Sequence, residues 1–168
     1  MQDDQSAGAK VAVDPAPASA AQADAAPQPG ALAVLVVDDD RVVGQMMADG
    51  LVAMGHAVVT AHSADEARLV LQHRHDIGVV VSDIRMPGRD GLALALDVAS
   101  ELGDARAAAM VLITGHATAE EVDAATRQGA AEFLRKPCRL ADLVGAVERG
   151  MAKARTRRGN ADRTDGAG

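Results

Sequence analysis

A single cysteine, Cys138, stands among the 168 residues, so neither an internal disulfide nor a cysteine-based metal cluster can form within one chain. A reducing, cytoplasmic setting fits that usage. The apolar run from Ala31 to Val37 is far too short to span a bilayer. Asp3, Asp4 and Asp14 interrupt the N-terminal stretch where a secretory signal would need a continuous apolar segment. A soluble, intracellular protein is therefore expected, with no membrane association. Neither a Gly-x-Gly-x-x-Gly nor a Gly-Lys-Ser/Thr element is present, which leaves no sign of nucleotide binding. No repeat of fixed period is visible. Of the five histidines, His56, His62, His73, His75 and His116, only the pair His73/His75 has even weak metal-ligand spacing.

What is present is unevenly distributed. The 48% apolar fraction overstates the core, because ten of the first thirty residues are Ala and four more are Pro. Such a stretch buries too little surface to offset its chain entropy, so residues 1–29 are expected to be a disordered extension. The net charge of −7 is split: residues 1–30 carry one Lys against four Asp, and residues 153–168 carry five Lys or Arg against two Asp, leaving −7 for the middle. A folded domain over residues 30–152 is thus acidic, which argues against a nucleic-acid surface on it. Lys153, Arg155, Arg157, Arg158 and Arg163 read as a solvated, flexible basic tail.

Apolar runs alternate with amphipathic stretches from 31 to 152, the pattern of repeated strand and helix units in a parallel sheet. Strands are predicted near 32–37, 57–61, 77–82, 109–114 and 131–135. Helices are predicted near 41–54, 64–73, 91–102, 119–128 and 140–152. Ser63-Ala64-Asp65-Glu66 and Thr118-Ala119-Glu120-Glu121 each place a hydroxyl at a helix cap with Glu three residues on. Gly55, Gly103 and Gly129 sit where helices should end. Right-handed crossovers then give a three-layer α/β sandwich.

The ends of the apolar runs carry the chemistry. Asp38-Asp39-Asp40 follow Val34-Leu35-Val36-Val37, Asp83 follows Val79-Val80-Val81-Ser82, and Lys136-Pro137 follow Phe133-Leu134-Arg135. Short, uncharged, β-branched runs suit strands buried on both faces, and in an open parallel sheet ligands bind in the crevice at the strands' carboxyl ends. Asp40, or even Asp39, would be explained as a helix N-cap alone. Asp38 and Asp39 after one strand, with Asp83 after another, instead suit one hard divalent ion, for which magnesium is the natural candidate. Thr114 and Lys136, also at strand ends, would then face phosphoryl oxygens. The loop Ile84 to Gly91 has one Pro and two Gly, which fix an unusual path that could bring a backbone carbonyl to the same ion.

These segments resemble the receiver domain of two-component response regulators. The resemblance lies in Leu35-Val36-Val37-Asp38-Asp39-Asp40, Val81-Ser82-Asp83-Ile84-Arg85-Met86-Pro87-Gly88-Arg89-Asp90-Gly91, Leu112-Ile113-Thr114-Gly115 and Phe133-Leu134-Arg135-Lys136-Pro137. It spans about 31 to 152 and implies a doubly wound, flavodoxin-like fold of five parallel strands in the order 2-1-3-4-5. It further implies that Asp83 accepts a phosphoryl group from a histidine kinase or a histidine phosphotransfer protein. Mg2+ would be held by Asp38, Asp39, Asp83 and the carbonyl of Arg85, with Lys136 and Thr114 completing the catalytic cradle. By the same resemblance Arg85 and His116 tune dephosphorylation, and Thr114 and Phe133 form the switch.

Phe133, the only aromatic residue, would otherwise be read as an ordinary core strand residue. The family's cis peptide is expected at Lys136-Pro137, and Cys138 reads as a small buried apolar side chain. A stand-alone receiver is expected, acting on a downstream target protein and able to pair through the fourth helix, fifth strand and fifth helix. Two alternatives stand beside it. A haloacid-dehalogenase-like phosphatase shares the Asp, Thr, Lys and magnesium set, but Arg85 occupies the place of its second Asp. A DNA-acting regulator would work through the basic tail.

Overall fold

The computed structural model describes residues 31–88, 91–101, 108–115, 118, 120, 122, 123, 126 and 132–165. Five strands, β1 (Ala33–Val37), β2 (Ala57–Ala61), β3 (Ile77–Asp83), β4 (Ala109–Thr114) and β5 (Glu132–Arg135), form one sheet in the order β2-β1-β3-β4-β5, and every pairing is parallel. The helices are α1 (Arg41–Ala53), α2 (Ala64–His73), α3 (Gly91–Glu101) and α4 (Leu140–Asp165), the last corresponding to the fifth helix expected from the sequence. The expected order and the three-layer arrangement are thus observed.

Period-two alternation of side chains divides the core between the two faces. Leu35, Val37, Val80, Met110 and Leu112 pack with Ala67 and Leu71 of α2 and with Leu94 and Val98 of α3. Val34, Val36, Val79, Val81, Val111 and Ile113 pack on the opposite face with Leu51 of α1 and with Leu143, Val147 and Met151 of α4. All five residues of β1 and all six of β4 are buried, as expected of strands covered by helices on both sides. Each such Val or Leu contributes roughly 1.5–3 kcal/mol, far more than any surface ion pair, so these aliphatic layers decide the fold.

Local signals act where the sequence places them. The Asp40 side chain caps α1 by accepting from the Val42 and Val43 amides. Ser63 caps α2 by accepting from Glu66, whose carboxylate reaches back to the His62 N–H. Gly55, at φ +89°, ends α1 in a conformation that side chains disfavour. Val122 donates to the Thr118 carbonyl in a helical turn, while most of the expected helix 119–128, with Glu121, Gly103 and Gly129, lies outside the described residues. So does the N-terminal extension.

One element differs from expectation. The last helix does not stop near 152, and the basic stretch that follows is helical to Asp165. The reason is a stripe that the charge pattern hides: Leu143, Val147, Met151 and Ala154 recur on one face and are all buried. Arg158, next on that stripe, donates to the Ile77 carbonyl at 2.7 Å and so ties the helix to the start of β3. Nearby, Arg74 holds Asp76 through two hydrogen bonds at 2.8 and 2.6 Å. Among the described residues no helix is long and apolar enough to cross a membrane.

Arg158→Ala is expected to cost about 1–2 kcal/mol in urea unfolding and to speed amide exchange beyond residue 158 while leaving Leu143 to Met151 protected. The hydrogen bonds from Arg74, helped by its charge and that of Arg158, hold the Asp76 carboxyl below the usual carboxylate range despite partial burial. Its contribution is therefore present at neutral pH and lost as the pH falls below about 4. Both partners are partly exposed, so Asp76→Asn should remove only about 0.5 kcal/mol from the difference in stability between pH 7 and pH 3.

Candidate functional site

Parallel register brings the carboxyl ends of β1, β3, β4 and β5 to one edge, because Val37 lies beside Ser82, Asp83 beside Ile113 and Thr114 beside Arg135. Asp38 leaves β1 into this edge with its side chain only 1% exposed. Its Oδ1 accepts the Asp40 N–H at 2.9 Å, whereas its Oδ2 has no hydrogen-bond partner among the described residues and lies 3.6 Å from Lys136 Nζ. Asp83, at the end of β3, accepts from Lys136 Nζ through Oδ2 at 2.5 Å and from the Arg85 N–H through Oδ1 at 3.1 Å. Asp39 is exposed and completes a group with Asp38 and Asp83 whose ligand atoms lie within 4.8 Å of one another.

Among the described residues, three carboxylates against one ammonium leave the cluster electrostatically unbalanced. Two like charges 4.8 Å apart repel by roughly 3 kcal/mol at an effective dielectric of 20. Burial, reinforced by the neighbouring Asp83 and Asp39, pushes the Asp38 carboxyl above its ordinary range, although the Asp40 amide and Lys136 pull the other way. Burial also lowers the affinity of Lys136 for its proton, but the Asp83 hydrogen bond and the charges of Asp38 and Asp83 outweigh it, so that Lys136 stays cationic. The unpartnered buried oxygen of Asp38 and the all-oxygen donor set fit a hard divalent cation.

The loop after Asp83 is set by its neighbours. Ile84 and Met86 are buried in the first core layer, which leaves Arg85 outward and exposed between them. Ile84 donates to the Ile113 carbonyl at 3.0 Å and Gly91 to the Ile84 carbonyl at 2.9 Å, closing the loop onto the start of α3. A Cβ at Gly91 would stand 2.2 Å from the Asp83 carbonyl oxygen, so the chain can close here only on glycine. The sequence marked Gly91 as one of two loop glycines and gave no sign of this contact, which depends on where α3 docks.

The other expected residues fall as follows. Thr114 is buried at the end of β4, and its carbonyl accepts the Lys136 N–H at 2.8 Å. Phe133, half-buried in β5 beside Leu112, packs against the α2–α3 layer, and the Lys136–Pro137 peptide is cis. Cys138 is half-buried against the α1–α4 layer. Asp40 serves as the α1 cap and is not part of the acidic group. His116 lies outside the described residues. Sequence reasoning passed over Ser82, whose buried hydroxyl donates to the Asp83 carbonyl at 2.9 Å.

A family model, the response regulator receiver domain, matches residues 34–148. Among curated proteins, the transcriptional regulatory protein PdtaR of Mycobacterium tuberculosis is 30% identical over 122 residues, covering 73% of this chain and 58% of that protein. The transcriptional regulatory protein FixJ of Azorhizobium caulinodans is 36% identical over 128 residues, covering 75% and 58%. The chain thus spans little more than half the length of these relatives. Among solved structures, a response regulator receiver protein from Pseudomonas putida is 31% identical with a TM-score of 0.65, covering 71% of this chain and 97% of that one. The receiver domain of NtrX from Brucella abortus is 32% identical with a TM-score of 0.64, covering 71% and 98%.

Gly91→Ala is expected to destabilise the domain by about 2–3 kcal/mol in urea unfolding, since backbone faces the added methyl group.

Proposed function

The chain belongs to the response regulator receiver domain family, and from that premise we propose that Asp83 takes a phosphoryl group from the phosphohistidine of a histidine kinase or phosphotransfer protein in the cytoplasm. The observation that carries this reading is the pairing of Asp83 with Lys136 beside two further carboxylates at one sheet edge.

Lys136 fixes one oxygen of Asp83 and the Arg85 amide fixes the other, so the acceptor is held in one orientation before the donor arrives. An Asp83 oxygen attacks phosphorus, a P–O bond forms, and the P–N bond to the donor imidazole breaks with its electron pair leaving on nitrogen. Mg2+, held by Asp38, Asp39, Asp83 and the Arg85 carbonyl, would offset charge on the transferring phosphoryl oxygens. Lys136 turns from the Asp83 carboxylate to a phosphoryl oxygen, and the Thr114 hydroxyl provides a second contact. Water later cleaves the acyl phosphate, at a rate tuned by Arg85 and His116.

The output is a change in protein binding. Lys136 is bonded through its backbone to Thr114, so capture of the phosphoryl group by these two residues pulls on the ends of β4 and β5 together. Phe133 lies on the same strand as the pull and shifts with it, altering the face built from β5 and α4. That face is the one through which a dimer or a target protein would be engaged. The donor would meet apolar surface next to the acidic edge, because Val42 and Met46 in the first turns of α1, which follows Asp38 to Asp40, are each 69% exposed. The phosphatase and DNA-acting alternatives gain no support from the family match.

Lys136→Ala should slow phosphoryl incorporation from phosphoramidate by about 10²-fold, measured as a rate per folded molecule. Magnesium at 100 times its Kd should stabilise the wild-type chain by about 2.7 kcal/mol, and chelation should remove both that gain and the incorporation. A rate indifferent to Lys136 and to metal would refute the reading.

A further inference from the structure

Only three polar residues are buried among the described ones, Asp38, Ser82 and Thr114, and all three lie at the carboxyl ends of strands around Asp83. Asp38 and Thr114 already have proposed roles there. Ser82 has none, and it is 0% exposed on the sheet face of Val80 and Met110, against which Ile84 and, from α3, Leu94 pack. A hydroxyl in such a layer costs stability unless it is bonded, and an apolar residue of similar size would fill the position more cheaply.

The bond it makes is specific in direction. Ser82 Oγ donates to the Asp83 carbonyl at 2.9 Å, while the N–H of that same peptide, belonging to Ile84, donates to Ile113 of β4 at 3.0 Å. Both ends of the Asp83–Ile84 peptide are therefore held, one from each side. Gly91 packs against the same carbonyl, where any Cβ would stand 2.2 Å from the oxygen and 3.0 Å from Ser82 Oγ, so the peptide has no room to rotate toward α3. This peptide joins the Asp83 side chain to the Arg85 amide that bonds its Oδ1. Rotation of the peptide would move the carboxylate and the Arg85 backbone relative to each other.

We propose that Ser82 is a positioning residue: its hydroxyl locks the Asp83–Ile84 peptide so that the acceptor carboxylate and the Arg85 backbone keep the geometry that phosphoryl transfer needs. The inference rests on the reading of Asp83 as the acceptor. It assigns to a strand residue, buried and out of reach of the phosphoryl group, control over the rate at which that group is taken up. A hydroxyl that merely fills space would leave the rate per folded molecule unchanged.

The test compares Ser82→Ala, Ser82→Cys and Ser82→Thr with the wild-type chain, using phosphoramidate and magnesium and normalising each rate to the folded fraction. Ser82→Ala and Ser82→Cys should lose about tenfold in rate, and Ser82→Thr, which returns the hydroxyl, should recover most of it. A Ser82→Ala rate within about twofold of wild type, or a Ser82→Cys rate equal to wild type, would overturn the proposal. The Cys variant keeps the comparison decisive if the extra methyl group of Thr unfolds the chain. Amide exchange separates this inference from the acceptor reading. Ser82→Ala should speed exchange at Ile84 and Gly91 and leave Val36 and Val111 unchanged, even if no variant is phosphorylated. Unchanged exchange at Ile84 and Gly91 would sink the positioning role by itself.

Discussion

Among the described residues, Lys136 is the one cation set among three carboxylates at a single edge of the sheet, and the rest of the site is arranged around that imbalance. Its ammonium bonds Asp83 at 2.5 Å and stands 3.6 Å from the buried Asp38, linking residues that come from β1, β3 and the end of β5. Neither charge could be held there by local structure alone. The aliphatic layers on both sheet faces set the parallel register, the register aligns the strand ends, and the alignment forces the carboxylates together. A fold with this edge carries a standing demand for a further positive charge, which a divalent cation would supply and, in the proposed reaction, an incoming phosphoryl group would share.

The same geometry explains how a local event can reach a distant surface. Lys136 is hydrogen-bonded to Asp83 through its side chain and to Thr114 through its backbone. In the proposed reading, displacement of its ammonium would be transmitted to the ends of both β4 and β5. The opposite end of the sheet is fixed by different means, with Arg158 bonded to Ile77 and Asp76 held by Arg74. One end of the sheet is thus clamped by neutralised charge, while the other keeps the unneutralised charge that phosphorylation would use.

Much of this was legible in the sequence, because strands buried on both faces must be written as short, uncharged β-branched runs, and an acidic residue at the end of such a run stands out. The five strands, their order and the grouping of Asp38, Asp39 and Asp83 followed from that signal and from the family resemblance. Asp40 illustrates its limit, since it is adjacent to two residues of the acidic group yet acts as a helix cap. The length of the last helix was hidden because its apolar stripe thins to Met151 and Ala154 just where basic residues crowd the sequence, and Arg158 continues the stripe as a hydrogen-bond donor. Gly91 and Ser82 were illegible for another reason. Gly91 matters only once α3 is docked against the carbonyl of Asp83, and the Ser82 hydroxyl turns onto that same carbonyl, neither of which any spacing in the chain encodes.

The central claim is that Asp83 is the phosphoryl acceptor, and it is tested most directly by the intact mass of the chain after incubation with acetyl phosphate or phosphoramidate. The account predicts a gain of one phosphoryl group in the presence of magnesium, and no gain for Asp83→Asn or for the wild-type chain with the metal chelated. A folded wild-type chain that gains nothing from either donor, or an Asp83→Asn chain that gains as much as wild type, would contradict it.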